Sequence, residues 1–164
     1  MIIDLETSLG PIAVELDAAH APITVENFLA YVDDGFYDGD DGAGATTFHR
    51  VVSGFVIQGG GYTPEGALKN TLDPIALESD NGLSNLRGTI AMARTNVPDS
   101  ATSQFYFNLV DNTFLDYDGA GSPGYAVFGA IVEGLDTMDD IAAVQTNAQD
   151  QPVEDVVITA AGRR

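Results

Sequence analysis

The apolar residues of this chain come in short runs cut apart by turn chemistry, and that pattern limits its fold more than any other feature. Eighteen glycines and seven prolines are spread along 164 residues without a collagen period, so they read as turns. Ile2, Ile3 and Leu5, then Ile12, Val14 and Leu16, flank Gly10-Pro11, and Val14-Glu15-Leu16-Asp17 alternates at period two; together these predict a β-hairpin. Phe48–Gln58 is rich in β-branched and aromatic residues and is broken at Ser53-Gly54. Thr89–Arg94, Gln104–Val110 and Ala126–Val132 predict three further strands, and Val153 to Ala160 a closing one. The period changes to that of a helix twice. Pro22 suits a first turn, Thr24 a cap, Val25, Phe28, Leu29 and Val32 one face, and Gly35 a stop. Residues 136–145 form the second helix, with Asp136 as cap, Asp139 and Asp140 in the first turn, and Leu135, Met138, Ile141 and Ala142 on one face. Many short strands and two helices without an internal repeat point to an antiparallel barrel or sandwich with helical covers.

An apolar share of 45 % with 9 % aromatics supplies one core, and the length suits a single domain over 1–164. The absence of cysteine removes disulfides, zinc ribbons, iron–sulfur clusters and thiol chemistry. Two histidines, His20 and His49, are too few for a multi-histidine metal site. Six basic residues against twenty-five acidic ones leave a net charge of −19, which repels phosphate backbones and anionic membranes. Nucleic acid and membrane are therefore not expected partners, and no apolar run approaches the ~20 residues of a membrane span. The N-terminus lacks the basic and apolar stretches of a signal peptide, which argues for the cytoplasm, or for the periplasm if a leader has been removed. With a single lysine, Lys69, the acidic surface also suits high salt, whose signature is a melting temperature that climbs with KCl.

Two loops stand out. Asp38-Gly39-Asp40-Asp41-Gly42-Ala43-Gly44-Ala45 offers carboxylates at alternate positions, as calcium prefers. Gly42 at the fifth ligand position and His49 at the twelfth break the calcium spacing, so a solvated loop is expected. Gly59 to Arg87 is mostly turn chemistry, and a connection that long points to function rather than linkage.

The chemistry-bearing segments are three. Phe48-His49-Arg50-Val51-Val52-Ser53-Gly54-Phe55-Val56-Ile57-Gln58-Gly59-Gly60-Gly61 sets an arginine and a glutamine among large apolar residues at strand spacing. Taken alone, Arg50 can be a rim cation paired with a carboxylate or a functional donor, and His49 reads as a structural histidine. Ala91-Met92-Ala93-Arg94 precedes Ser103-Gln104-Phe105-Tyr106-Phe107-Asn108, and Asn112-Thr113-Phe114-Leu115-Asp116 precedes Gly124-Tyr125-Ala126-Val127-Phe128-Gly129. Each aromatic by itself is ordinary core.

Together the three segments resemble the cyclophilin family of peptidyl-prolyl cis-trans isomerases, close to its bacterial branch, over essentially the whole chain. FHRVVxGFxxQGG followed by SQFxF and NxFLD, in that order and spacing, carries the resemblance. It implies a mainly β fold, an eight-stranded antiparallel β-barrel closed by two α-helices, with the groove on its outer face. It implies that Arg50 is the catalytic arginine and that Gln58 supports it by fixing the guanidinium or the substrate backbone. Phe55, Val56, Ala93, Gln104, Tyr106, Phe114, Leu115 and Tyr125 match positions that form or border the substrate groove and its proline pocket. The implied partners are proline-containing peptides and unfolded or partly folded proteins, with no metal and no cofactor, and the family habit is a monomer.

Three positions depart from the family pattern. Tyr106 stands where the family carries phenylalanine, and its hydroxyl needs a partner. Phe114 and Tyr125 stand where eukaryotic relatives carry tryptophan and histidine. Losing the indole donor implies weak cyclosporin binding. A non-catalytic proline-peptide binder is the rival reading; a hydrolase lacks any G-x-S-x-G elbow.

Overall fold

The computed structural model describes residues 1–119 and 121–164. Eight strands, β1 (Ile2–Thr7), β2 (Gly10–Leu16), β3 (Arg50–Val52), β4 (Val56–Gly59), β5 (Thr89–Met92), β6 (Phe105–Asn108), β7 (Val127–Glu133) and β8 (Ile158–Arg163), accompany two helices, α1 (Pro22–Asp33) and α2 (Leu135–Ala142). A 3₁₀ turn covers Thr113–Leu115. The strands form one antiparallel sheet in the order β3-β4-β6-β5-β7-β2-β1-β8. Strand twist curls it until its outer edges meet. There Thr47 bridges Val157, the Phe48 N–H donates to the Val156 carbonyl, and the Ile158 N–H donates to the Thr46 carbonyl, both at 2.9 Å. This is the barrel-like architecture the sequence predicts.

Inside the curl lie Ile3, Leu5, Ile12, Val14, Ile57, Ile90, Phe105, Phe107 and Phe128, all but fully buried. The helices add Val25, Phe28, Tyr31 and Val32 from α1 and Met138 and Ile141 from α2. Burying each such side chain contributes about 1.5–3 kcal/mol. Phe28 anchors this core, its ring 5.3–5.6 Å from those of Tyr37, Phe105 and Phe128. Among the described residues no helix is long and apolar enough to cross a membrane.

Several local expectations are corrected. The hairpin turns at Ser8-Leu9 rather than Gly10-Pro11. Gly10 instead opens β2 at φ +131°, opposite Thr7, whose hydroxyl donates to the Gly10 carbonyl at 2.7 Å. Thr24 does not cap α1. Glu78 does, accepting the Ile23 N–H at 3.1 Å and the Thr24 N–H and hydroxyl at 2.7 and 2.6 Å. A carboxylate suits the positive end of a helix whose first N–H groups lack partners. Helix α2 is shorter than 136–145, and Asp136 lies inside its first turn, with Gly134 as the cap at φ +92°. A Cβ at Gly134 would stand 2.3 Å from the Pro11 carbonyl oxygen, so only glycine fits there. The closing strand begins at Ile158, five residues after Val153, because the preceding segment is spent on edge closure and a loop bridged at Thr146–Pro152.

The 38–45 loop is exposed on its outer surface but not simply solvated. The Lys69 ammonium, buried beneath it, donates to the Phe36 and Gly44 carbonyls at 2.6 Å each and pairs with Asp41 at 2.9 Å. It also sits 4.4 Å from the centre of the Phe36 ring. Burial pushes the Asp41 carboxyl up, but the Lys69 hydrogen bond, the Ala43 N–H and the Lys69 charge outweigh it and hold the group below its usual range. The chain's one lysine is the loop's staple.

Candidate active site

Strand alternation assembles the site. In register across the sheet, Arg50 on β3 faces Gln58 on β4, Gln58 faces Tyr106 on β6, Tyr106 faces Ala91 on β5, and Ala91 faces Val127 on β7. Their chain neighbours Val51, Ile57, Phe105, Ile90 and Phe128 point into the core, so this row must point outward. Outside the barrel it builds a second apolar cluster, Val56, Ala91, Tyr106 and Val127, against which Phe55, Ala93, Leu115 and Tyr125 pack. The result is a cleft of about 260 Å³ lined by Arg50, Phe55, Val56, Gln58, Ala93, Arg94, Tyr106, Leu115 and Tyr125.

Among the described residues the Arg50 guanidinium makes neither an ion pair nor a hydrogen bond, so the reading of it as a paired rim cation does not hold. Gln58 lies directly across from it but bonds elsewhere: its Nε2 donates to Gln104 Oε1 at 3.0 Å. Gln104 lies outside the first cleft. It lines an adjoining one of about 190 Å³ with Gln58, Ala93, Arg94, Thr95, Ser100 and Thr102. Its side chain crosses Gly61, where a Cβ would come within 2.6 Å of Gln104 Cγ. Phe114 is also outside the cleft lining; it is 69 % exposed and stacks on Phe55, centroids 5.8 Å apart and planes at 17°. A 3₁₀ turn tips its ring out to the rim while Leu115 faces in.

The Tyr106 hydroxyl has its partner. Only 4 % exposed, Tyr106 donates to Asn85 Oδ1 at 2.7 Å, away from the cleft, and burial beside Tyr125 and Asp116 raises its pKa. Asn85 is fully buried and also accepts from Asn108 Nδ2 at 3.1 Å. Its side chain and backbone N–H donate to Asp116 at 2.8 and 2.7 Å, and the Ser84 hydroxyl donates to the same carboxylate. Asn112 Nδ2 donates to the Phe55 carbonyl at 3.0 Å and to Asn108 Oδ1 at 2.9 Å. Satisfied buried networks of this kind hold their elements in one arrangement. This one fastens the 3₁₀ turn, and with it Leu115, against the sheet. Ser84 and Asn85 belong to the long 59–87 connection, whose length was the one sequence signal pointing toward them.

Arg94 was not singled out as a site residue. Its Nε and Nη2 donate to the Gly124 carbonyl at 3.1 and 2.6 Å, its Nη1 to the Thr95 carbonyl at 2.8 Å, and its guanidinium lies 4.4 Å from the Tyr125 ring centre. A cation following Ala93 in so acidic a chain was the available sign.

His49 lines a different cleft together with Arg50, its ring 4.7 Å from that of Tyr62 and its buried Nδ1 without a partner among the described residues. It is half-buried, in keeping with a structural histidine, but with one ring nitrogen unsatisfied. Burial and the Arg50 charge push its pKa down from 6.5 to about 4, so it is neutral at pH 7. Between those values the unfolded chain holds a proton that the folded chain does not. Folding stability is expected to fall as pH drops from about 6.5 through about 4, and His49→Gln should lose less over that interval. Urea denaturation of both proteins at pH 7 and pH 5 checks this; equal losses would sink it.

Comparison with known proteins matches the chain to a family. The family model described as cyclophilin type peptidyl-prolyl cis-trans isomerase/CLD matches residues 2–163. A peptidyl-prolyl cis-trans isomerase of Streptomyces antibioticus is 53 % identical, the match covering 97 % of this chain and 96 % of that one. Peptidyl-prolyl cis-trans isomerase B of Escherichia coli is 46 % identical, with 96 % of each chain covered. In fold, the chain is similar to a cyclophilin type peptidyl-prolyl cis-trans isomerase of Cryptosporidium parvum crystallised in the presence of the dipeptide Ala-Pro. The TM-score is 0.80 at 23 % identity, over 98 % and 97 % of the two chains. With a family model spanning nearly every residue and bacterial relatives at about half identity, the chain belongs to the cyclophilin-type peptidyl-prolyl cis-trans isomerases.

Proposed function

We propose that the cleft on the outer face of β3–β6 binds the proline ring of a peptide and that Arg50 drives rotation about the preceding bond. One observation carries this reading: among the described residues the Arg50 guanidinium is left without a partner, in the wall of a cleft whose other side is built by Phe55, Val56, Leu115 and Tyr125. Amide resonance holds an X-Pro bond planar, and rotation passes through a twisted state in which the prolyl nitrogen regains a lone pair. An N–H donor aimed at that nitrogen binds the twisted state and has little to bind in the planar one, which is what lowers a barrier. Arginine suits the task because it stays charged and its fork spans two acceptors. Gln58, held by Gln104, positions the substrate backbone beside it rather than gripping the guanidinium. Phe55, Val56, Ala93, Tyr106, Leu115 and Tyr125 hold the ring while the carbonyl swings, and Phe114 backs Phe55 from the rim.

The client proteins of this reading are unfolded or partly folded chains whose folding waits on proline. Added at well below their concentration, the protein should speed a refolding phase limited by proline isomerisation, which otherwise takes about 10–100 s. Slowed or unchanged refolding would make it a binder and overturn the reading. Cyclosporin should bind less tightly than to tryptophan-bearing relatives, as competition in the same assay would measure, since Phe114 offers no N–H. Self-repulsion at a net charge of −19 favours a monomer, to be checked by a sedimentation mass near 17.2 kDa.

A further inference from the structure

The chain has six basic residues, and four are neutralised by carboxylates. Lys69 pairs with Asp41 at 2.9 Å, Arg87 with Asp139 at 2.9 Å, Arg163 with Asp33, and Arg164 with Asp4 and Glu133 at 2.8 and 2.6 Å. Among the described residues the remaining two, Arg50 and Arg94, pair with no carboxylate, and both line the same cleft. With twenty-five acidic residues available, two unpaired cations in one groove make a positive focus in an otherwise negative surface.

Arg94 also lines the adjoining cleft, which shares Gln58 and Ala93 with the first and adds Thr95, Ser100 and Gln104. A guanidinium carries five N–H donors. Three of Arg94's are spent on the Gly124 and Thr95 carbonyls, leaving one on each terminal nitrogen. Its partners are neutral, so its full charge remains. Asp116, whose charge reaches Tyr106 at the cleft floor, is committed to Ser84 and Asn85. The groove thus offers an apolar seat for a proline ring and, beside it, a polar seat with a half-occupied cationic fork.

We infer that Arg94 is a specificity determinant selecting prolyl peptides with an acidic side chain one or two residues before the proline. That side chain enters the second cleft and pairs with Arg94 while the ring fills the first. The inference rests on reading the first cleft as the proline seat.

The test measures kcat/KM for peptide pairs differing only in Glu or Gln, at the residue before proline and at the one before that. The wild-type protein, Arg94→Gln and Arg94→Lys are compared. The wild type should favour Glu about two- to fivefold at one of these positions, the range of a partly exposed ion pair. The preference should shrink toward unity in molar KCl, vanish in Arg94→Gln and return in Arg94→Lys. If Arg94 merely ties down the Gly124 loop, its loss would scale both peptides alike. A wild-type ratio of one or less at both positions overturns the inference without any variant, and so does a ratio unchanged in Arg94→Gln. If neither the Glu nor the Gln peptide is turned over, the reading of the groove as the isomerase site has failed, and this inference falls with it.

Discussion

Replacing Arg50 by alanine is expected to lower kcat/KM for an X-Pro peptide by about 10²–10³, the usual cost of removing one preorganised donor. The fold should survive, because among the described residues no carboxylate is orphaned when the guanidinium goes. β3 is held by backbone pairing of Arg50, Val51 and Val52 to Gln58, Ile57 and Val56. Magnitudes also say that Arg50 does not act alone. A rate gain of about 10⁶ requires ~8 kcal/mol. A single charged hydrogen bond contributes about 1.5–3 kcal/mol net. The remainder falls to the cleft, which excludes water and fits the twisted conformer better than the flat one. A variant with native circular dichroism and more than about a tenth of wild-type kcat/KM would remove Arg50 from the chemistry, since the loss would be under ~1.4 kcal/mol.

The second large effect concerns a residue outside the cleft lining. Lys69→Met should cost about 3–5 kcal/mol, the range for breaking a buried pair by deleting one partner. Asp41 would lose its counter-ion, and the Phe36 and Gly44 carbonyls their donor, under a loop otherwise held by its own backbone hydrogen bonds and by the Ala161 N–H donating to Asp38. For a chain this long that corresponds to a Tm lower by roughly 6–20 °C. Urea denaturation and thermal melting measure it. A loss below about 1 kcal/mol would show that water or a rearranged loop replaces the ammonium.

The strand pattern was legible because its causes are local. Period-two alternation, β-branched runs and turn residues act over a few positions, and the expected strands at 89–94, 104–110 and 126–132 lie within two residues of those observed. Arg50 and Gln58 sit in one segment and ride a single hairpin, but that segment alone left Arg50 open between a rim cation and a functional donor; the resemblance carried by all three segments pointed to both. The misread points are those settled at long range. Thr24 has a capping side chain, yet the cap comes from Glu78, 54 residues away. The 38–45 loop carries charges that suit water, yet it closes on Lys69. Phe114 has the composition of a pocket wall, but a 3₁₀ turn fastened through Asp116 to Ser84 and Asn85 turns its ring outward.

By itself the sequence determined the class of fold and the acidic character of the surface, because periodicity and net charge are properties of the chain before it folds; the groove's residues were legible only through the resemblance their motifs carry. Which cations stay unpaired was decided only by the tertiary structure. An ion pair depends on two side chains meeting in space, and nothing local distinguishes Arg94, left charged at the cleft, from Arg87, quenched by Asp139 across 52 residues of chain.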